Sequence, residues 1–287
     1  MVTIRKLAGV VLDTDRLEAA VRFYAEGFGL TLAAQDDRVA RFDGVGGESD
    51  VLILRHSATP GLAGFRLGLS SPEALVQAHA ALAARGHAIS PPVFGSAGFS
   101  IRTPDGQSVD LVAEGGLPAL TATPDGKPIC ISHLVINSPA PAAMVRFFTD
   151  DLGFRITDSY EGDLLVFLKC DQPQHHCLGV SPGSAGALNH FSVDVGSIDG
   201  LMKSIGRMQK VGHAPIWGPG RHGPGGNVFA YFEDPTGFVA EFTCEVQQID
   251  DPASWQARAW PRVPEIANVW GTGGPTPRAV ALMSGEV

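Results

Sequence analysis

The sequence predicts an α+β protein made of two tandem domains, and two observations support this prediction. A pattern of strands and helices occurs twice along the chain, and each copy ends in a hairpin. Side chains suited to metal binding cluster on predicted strands only in the second copy. We therefore expect domains at residues 1–115 and 129–246, with a linker near 115–128 that is rich in glycine and proline.

The first repeated unit is a strand followed by a helix. Residues 7–30 and 131–154 each contain a short apolar strand, a turn, a helix and a glycine. Apolar side chains at helical spacing define one face of each helix. They are Leu17, Val21, Tyr24 and Phe28 in the first copy, and Met144, Phe147, Phe148 and Leu152 in the second. Gly29 and Gly153 stand where a helix ends in a left-handed residue.

The second repeated unit begins with another strand and a longer helix. Residues 65–90 match residues 191–216, and both helices are followed by a Gly-His pair. A hairpin with a PDG turn (101–114) then matches one with a DPTG turn (229–242). Each half therefore contains two βα units with additional strands, whereas the tail from about 247 onwards has no counterpart.

Composition limits the classes of partner. Of the 287 residues 44% are hydrophobic, and the formal net charge is −9 without any run of Lys or Arg, which argues against nucleic acids and anionic membranes. Asp13 and Asp15 interrupt the apolar N-terminal run, and no stretch of 18 apolar residues exists. The four cysteines lack CxxC spacing, so we expect buried reduced thiols in a cytoplasmic protein.

Three side chains of the second half stand on core-forming strands where polar groups are costly unless they are paired or ligated. They are His133 in ISHLVIN, His190 in NHFSVDV and Glu241 in FVAEFT. Two histidines and a carboxylate on one face form the facial triad of non-haem Fe(II) oxygenases. A single strand histidine is more often a hydrogen-bonded core residue than a ligand, so this structural alternative must be tested.

The repeat provides that test within one sequence. His133 and His190 align with Gly9 and Gly64, and Glu241 aligns with Asp110. The fold therefore does not require histidine at these places, which favours a functional role. We expect the first half to bind no catalytic metal. By the same comparison His213 aligns with His87, so we assign His213 a structural role.

These residues carry a family resemblance that extends to about residue 245. The chain resembles the type I extradiol dioxygenases of the vicinal oxygen chelate superfamily, most specifically over residues 220–241. The family pattern there is a histidine, a tyrosine nine places later, acidic-Pro-x-Gly and the ligand glutamate. It is matched by His222, Tyr231, Asp234-Pro235, Gly237 and Glu241. Ala230 and Gly225 depart from the pattern, where a larger apolar residue and, in some members, an Asp are found.

The resemblance implies a fold, a reaction and a set of roles. Each domain would pair two βαβββ modules into an open, incomplete barrel around a metal cleft. His133, His190 and Glu241 would bind Fe(II), with Mn(II) as the alternative, and the substrates would be a catechol and O₂. His176 matches the family's acid/base histidine, with His175 as the weaker candidate. Tyr231 would hydrogen-bond to a substrate oxygen, and His222 would lie at the pocket mouth.

Several alternatives stay open from the sequence. His176 and His222 could be loop histidines, and Tyr231 a cross-strand aromatic residue. The tail, residues 247–287, contains three tryptophans and could be a lid or a subunit contact in the homo-oligomer that we expect. The competing functions are a glyoxalase-type isomerase or transferase, which would want a second carboxylate ligand, and a metal-free small-molecule binding protein, which would have apolar residues at the ligand positions.

Overall fold

A computed structural model describes residues 2–95 and 97–285. It contains two open sheets with few helices, which confirms the α+β class and the absence of a closed barrel among the described residues. The first sheet has seven strands in the order β2-β3-β4-β1-β5-β7-β6, and the second has nine in the order β13-β14-β15-β12-β8-β11-β10-β9-β16. No helix in the described part of the chain is long and apolar enough to cross a membrane.

The first half contains seven strands and two helices. They are β1 (Lys6–Thr14), α1 (Leu17–Arg22), β2 (Thr31–Gln35), β3 (Val39–Asp43), β4 (Leu52–His56), β5 (Gly61–Gly68), α2 (Pro72–Ala84), β6 (Phe99–Arg102) and β7 (Ser108–Val112). The central strands β1 and β5 are antiparallel, and each has a parallel neighbour on its other side, β4 for β1 and β7 for β5.

The second half repeats this topology. Its elements are β8 (Cys130–Ser138), α3 (Pro141–Arg146), β9 (Arg155–Tyr160), β10 (Val166–Lys169), β11 (Leu178–Pro182), β12 (Ala187–Asp194), α4 (Ile198–Lys210), β13 (Trp217–Arg221), β14 (Val228–Glu233) and β15 (Val239–Cys244). The tail adds β16 (Arg258–Trp260), α5 (Pro264–Ala267) and α6 (Pro277–Ser284). Strand β16 extends the second sheet by pairing parallel to β9.

One module departs from the predicted βαβββ pattern. After α2 the first half has two strands, and the counterpart of β13 is reduced to a single bridge between Ser90 and Ser100. Pro91 and Pro92 follow Ser90 directly, and proline has no backbone N–H to continue a ladder of hydrogen bonds. The other three modules have the full βαβββ order.

The two halves interlock through the ends of α1 and α3. Each helix continues as a π-helical turn, Phe23–Phe28 and Phe147–Asp151, and the glycines that follow have the predicted left-handed backbone (Gly29 φ 86°, Gly153 φ 74°). The first turn packs on the second half, where the ring of Phe28 stacks on Phe242 with centroids 4.1 Å apart. One continuous cluster of buried apolar side chains therefore spans both halves.

Aromatic and histidine contacts repeat across the same interface. His213 packs edge-on against Phe23, and His87 packs edge-on against Phe147, with centroids 4.9 and 5.8 Å apart. Both histidines thus contact the start of the opposite half's π-helical turn, in agreement with a structural role for His213. The four cysteines are buried and free of disulfides, as predicted.

Candidate metal centre

The register of three adjacent strands explains why His133, His190 and Glu241 meet. Ser192 on β12 lies opposite His133 of β8 on one side and opposite Glu241 of β15 on the other. Residues in one row across a sheet project to the same face, and His190 precedes Ser192 by two, the strand period. The small Ser192 side chain leaves the space above the row free for the three larger ones.

The donor atoms converge on one buried point. Nε2 of His133 lies 2.8 Å and Nε2 of His190 lies 3.5 Å from Oε2 of Glu241, and the three donors lie within 4.8 Å of one another. Mutually adjacent ligands at right angles with bonds of about 2.1 Å would stand about 3 Å apart. Two imidazoles and a carboxylate at these separations fit a facial triad on a divalent transition metal. Among the described residues no other group of three such side chains converges in this way.

Hydrogen bonds to Nδ1 orient both imidazoles. Oδ1 of Asn189 accepts from Nδ1 of His190 at 2.8 Å, and Ser132 Oγ lies 3.3 Å from Nδ1 of His133. Asn189 is itself held by the carbonyl of Met283 in α6. A partner at Nδ1 fixes the ring and leaves the Nε2 lone pair for a metal. Sequence reasoning missed Asn189 and Ser132.

Burial sets the charges of the three side chains. It lowers the pKa of His190 to about 3, so this ring is neutral at physiological pH, as a ligand must be. Burial alone would raise the pKa of Glu241, but His133 and His190 hold it below its usual value, so the group is a carboxylate. The site therefore offers the carboxylate of Glu241 and the neutral imidazole of His190, with His133 beside them.

His176 lies beside the triad, with its ring centroid 4.7 Å from that of His133 and 5.0 Å from that of Phe167. Burial lowers its pKa well below the usual value, so the ring is a neutral base. His175 points away from the triad and is completely buried next to Asp158. The structure thus places His176, rather than His175, on the wall of the cavity.

Tyr231 and His222 form a hydrogen-bonded pair on the opposite wall. Nε2 of His222 lies 3.0 Å from the hydroxyl of Tyr231, while Nδ1 donates to the carbonyl of Ala267 in the tail at 2.7 Å. In the neutral ring Nε2 therefore accepts the Tyr231 proton. Burial, followed by the charge of Glu241, raises the pKa of Tyr231 well above its usual value, so the hydroxyl stays protonated.

A cavity of about 790 Å³ joins these residues. His133, His176, His190, His222 and Tyr231 all line it. Its walls are largely apolar and aromatic, with Tyr160, Leu164, Leu165, Phe167 and Trp217 among them. Tail residues between 262 and 275, together with Met283, form the remaining side.

The two departures from the family pattern lie in different surroundings. Gly225 has a left-handed backbone (φ 71°), and a Cβ there would lie 3.0 Å from Cε1 of His176 and 3.2 Å from Nδ1 of His175. A larger residue would therefore press on the histidine pair. Ala230 is buried in the hydrophobic core, away from the cavity lining.

The equivalent place in the first half is filled by backbone. A Cβ on Gly9 would lie 2.1 Å from the carbonyl oxygen of Asp50, and one on Gly64 would lie 2.1 Å from that of Ser108. The carboxylate of Asp110 accepts hydrogen bonds from the backbone N–H groups of Val93 and Phe94, at 3.0 and 2.8 Å. The first-half cleft is therefore closed by its own loops.

Comparison with known proteins identifies the superfamily. The model of the Glyoxalase/Bleomycin resistance protein/Dioxygenase superfamily matches residues 130–242. The crystal structure of a Mn(II)-bound glyoxalase from Novosphingobium aromaticivorans is 30% identical to this chain, with a TM-score of 0.85 over 97% of this chain and 94% of that one. The chain belongs to this superfamily.

Two curated relatives resemble parts of the chain. A metapyrocatechase 2 from Cupriavidus necator is 30% identical over 128 residues, 44% of this chain and 40% of that protein. An iron-dependent extradiol dioxygenase from Rhodococcus jostii (strain RHA1) is 30% identical over 157 residues, 49% of this chain and 50% of that protein. The matched region thus spans half or less of each of these proteins.

Proposed function

We propose that the chain is a metal-dependent extradiol dioxygenase, which opens a catechol-type ring beside the diol and incorporates both atoms of O₂. The arrangement that supports this best is a facial triad, an acid/base histidine and a phenol donor around one apolar cavity. Glyoxalase-type isomerisation shares the scaffold, and the similarity to the Novosphingobium structure favours it as the second candidate. The metal-free binding alternative expects apolar residues where His133, His190 and Glu241 stand.

His133, His190 and Glu241 would hold Fe(II), with Mn(II) as the alternative. The name of the Rhodococcus relative supports iron, and that of the Novosphingobium structure supports manganese. When bound, the metal would supply adjacent positions for the catechol oxygens and O₂ and conduct charge between them. The protein's own contribution is to position these groups and to move protons.

Three further side chains would act on the substrate. The neutral His176 would accept the proton of a catechol hydroxyl and return it later in the reaction. When substrate binds, Tyr231 would turn its one hydroxyl proton from Nε2 of His222 to a substrate oxygen. The apolar walls and the volume of the cavity favour a catechol that carries an apolar substituent.

The second candidate has less support from the cavity. Glyoxalase-type chemistry calls for a second carboxylate near the metal. Among the described residues that line the cavity, only Glu265 has a carboxylate side chain, and it is exposed in the tail. The side chains next to the triad are instead a histidine and a phenol, which suit proton transfer to and from a catechol.

We also propose the domain limits 1–115 and 129–246, with the tail, residues 247–287, as a cover over the cavity. The tail's contribution of β16 to the second sheet and its residues in the cavity lining support a cover. The homo-oligomer expected from the sequence stays a prediction, which analytical ultracentrifugation would check.

The reaction is tested with protein purified without oxygen. We expect about one equivalent of Fe(II) per chain and a yellow product from at least one member of a panel of catechol, aryl-catechol and carboxyalkyl-catechol. Labelled O₂ should place both atoms in that product. Incorporation of one atom would indicate a hydroxylase. Turnover of a hemithioacetal without oxygen uptake would establish the isomerase instead.

The metal ligands are tested with a matched pair of variants. His190→Ala should lose both the metal and turnover while remaining folded, whereas His213→Ala should keep both, because His213 packs on Phe23 at the interface between the halves. Full metal retention in the His190 variant would remove His190 from the site.

A further inference from the structure

A row of three buried polar side chains lies behind the cavity wall. Nδ1 of His176 is 3.0 Å from Nδ1 of His175, and Nε2 of His175 is 3.2 Å from Oδ2 of Asp158. Asp158 is 1%, His175 0% and His176 3% exposed. His175 and Asp158 must therefore satisfy their protons and lone pairs within the protein, because neither is exposed to solvent.

The tail holds the far end of this row. Nε1 of Trp260 donates to Oδ2 of Asp158 at 2.6 Å, and the backbone N–H of Arg258 donates to Oδ1 at 3.1 Å. Burial would raise the pKa of Asp158, but the donors His175, Trp260 and Arg258 keep it below its usual value. Asp158 is therefore a buried carboxylate whose hydrogen-bond donors come from β16, with Nε2 of His175 in contact with it.

His175 and Asp158 are close enough to form an ion pair, but their atoms are not aligned for a good hydrogen bond. Nε2 of His175 has no well-directed acceptor among the described residues, and Oδ2 of Asp158 is the carboxylate oxygen beside it. A carboxylate can only accept a proton, so it favours the tautomer of His175 with hydrogen on Nε2.

The position of the His175 proton determines which nitrogen of His176 carries its proton. When His175 holds a single proton, on Nε2, its Nδ1 carries a lone pair. The short Nδ1–Nδ1 contact then requires His176 to donate from its own Nδ1, since two lone pairs cannot face each other at 3.0 Å. Nε2 of His176 is left with a lone pair on the side that lines the cavity.

We propose that Asp158 and His175 are positioning residues that hold His176 in the tautomer whose Nε2 is the base, and that Trp260 of the tail keeps Asp158 in place. The catalytic meaning of this arrangement rests on the proposed function, in which Nε2 of His176 takes the hydroxyl proton of the substrate. The tautomer itself does not depend on which reaction the protein catalyses.

The tautomer is tested by ¹⁵N NMR of the full chain with labelled histidine, loaded with diamagnetic Zn(II). We expect the ring proton of His176 on Nδ1 and that of His175 on Nε2. In Asp158→Asn and in Trp260→Phe, which removes the indole N–H but keeps an aromatic ring, the His176 signals should shift towards a mixture of tautomers. A proton on Nε2 of His176 in the unmodified protein would overturn the proposal, whatever the activity.

A kinetic comparison tests the role of the row in turnover. His175→Leu removes the acceptor for His176, whereas His175→Gln restores one through its side-chain oxygen. We expect kcat to fall roughly tenfold or more in the Leu variant, with KM and metal content unchanged, and to recover in large part in the Gln variant. His213→Gln is the matched control and should leave kcat unchanged.

Equal kcat values in all three variants would contradict the positioning role. An equal loss in the Leu and Gln variants with loss of metal would show that His175 serves only the packing of the site, which also overturns the proposal. A protein that turns over no catechol would reject the proposed function, while the NMR measurement would still decide the tautomer.

Discussion

At the scale of single residues, the site is organised by what lies behind its imidazoles. Four histidines face the cavity, and each is held through Nδ1. The partners of His133, His176, His190 and His222 are, in that order, Ser132, His175, Asn189 and the carbonyl of Ala267. The rings of His133, His176 and His190 can therefore present Nε2 to the centre, whereas His222 presents it to the hydroxyl of Tyr231.

The sequence contained the four histidines but gave little sign of these partners. Ser132, Asn189 and His175 each directly precede the histidine that they hold. In a regular strand a neighbouring residue points to the opposite face, so strand alternation argued against such a contact. The irregular register between Leu188 and His190 is one place where that rule fails. A polar residue before each histidine was the available signal.

His176 gives the sharpest prediction at this scale. His176→Phe should retain metal and substrate binding but lower kcat by roughly a hundredfold or more, because the buried neutral base is lost while the ring volume is kept. Stopped-flow absorbance of the yellow product, with metal analysis on the same sample, measures both. A larger effect from His175→Phe, with His176→Phe unaffected, would reverse the assignment of the two histidines.

Asp194, at the end of β12, predicts a dependence of stability on pH. Burial raises its pKa to about 6, above the value of about 3.9 expected in the unfolded chain. The folded state thus binds this proton more tightly, so its contribution to stability is complete below pH 3.9 and is lost as pH rises through 6. A shift of two pKa units changes the free energy of unfolding by at most about 3 kcal/mol.

Denaturant unfolding at several pH values between 4 and 8 checks this contribution. Asp194→Asn should flatten the part of the profile between about pH 4 and 6, where the two states differ in protonation. Asp199→Asn, an exposed carboxylate on α4, is the control and should leave the profile unchanged. An identical slope in the unmodified protein and in the Asp194 variant would show that Asp194 is ionised in the folded state.

At the scale of elements, strands with the same place in the two halves have acquired different tasks. Glu241 on β15 faces two histidines, whereas Asp110 on β7 accepts two backbone hydrogen bonds from the loop at Val93 and Phe94. The repeat in the sequence was sufficient to align these strands and to locate the triad. It could not show what fills the first-half cleft, because the loops that fill it have no periodic pattern.

Asp110→Asn tests this difference in task. The amide keeps only one of the two accepting oxygens and turns its NH₂ group towards the other N–H, so we expect a loss of about 1–3 kcal/mol in the free energy of unfolding. Metal content should remain at about one equivalent per chain, the number expected from three ligands in one half. Glu241→Gln is the matched variant and should lose the metal. Two equivalents in the unmodified protein, with one lost in Asp110→Asn, would place a second site in the first half.

At the scale of the whole molecule, neither half buries its core alone. Arg207 on α4 donates to the carbonyls of Gly27 and Phe28, where the first π-helical turn ends, and Tyr24 donates to Asp234. Helical periodicity identified the apolar faces of α1 and α3 correctly. The partners across the interface could not be read from one sequence, because periodicity shows which side of a helix is buried but not what covers it.

Interlocking predicts that the two halves unfold together. All four tryptophans lie in the second half and the tail, so fluorescence reports on that part, whereas far-UV circular dichroism reports on both halves. We expect the two signals to give the same denaturation midpoint. Arg207→Met should lower the free energy of unfolding obtained from either signal by about 1–3 kcal/mol, because the carbonyls at the helix end lose a charged donor. Lys203→Met, in an exposed ion pair, should change little. Separate midpoints would show two independent units.

The close backbone contacts of Gly9 and Gly64 also limit how such a protein can evolve. If the halves arose by duplication, a return to two metal sites would require histidine at both positions and a longer carboxylate at Asp110. Each histidine would first have to displace the carbonyl of Asp50 or Ser108, which lies 2.1 Å from the place of the new Cβ. Every single step would reduce stability before any metal affinity was gained. Packing in the first half therefore opposes the gain of a metal site there.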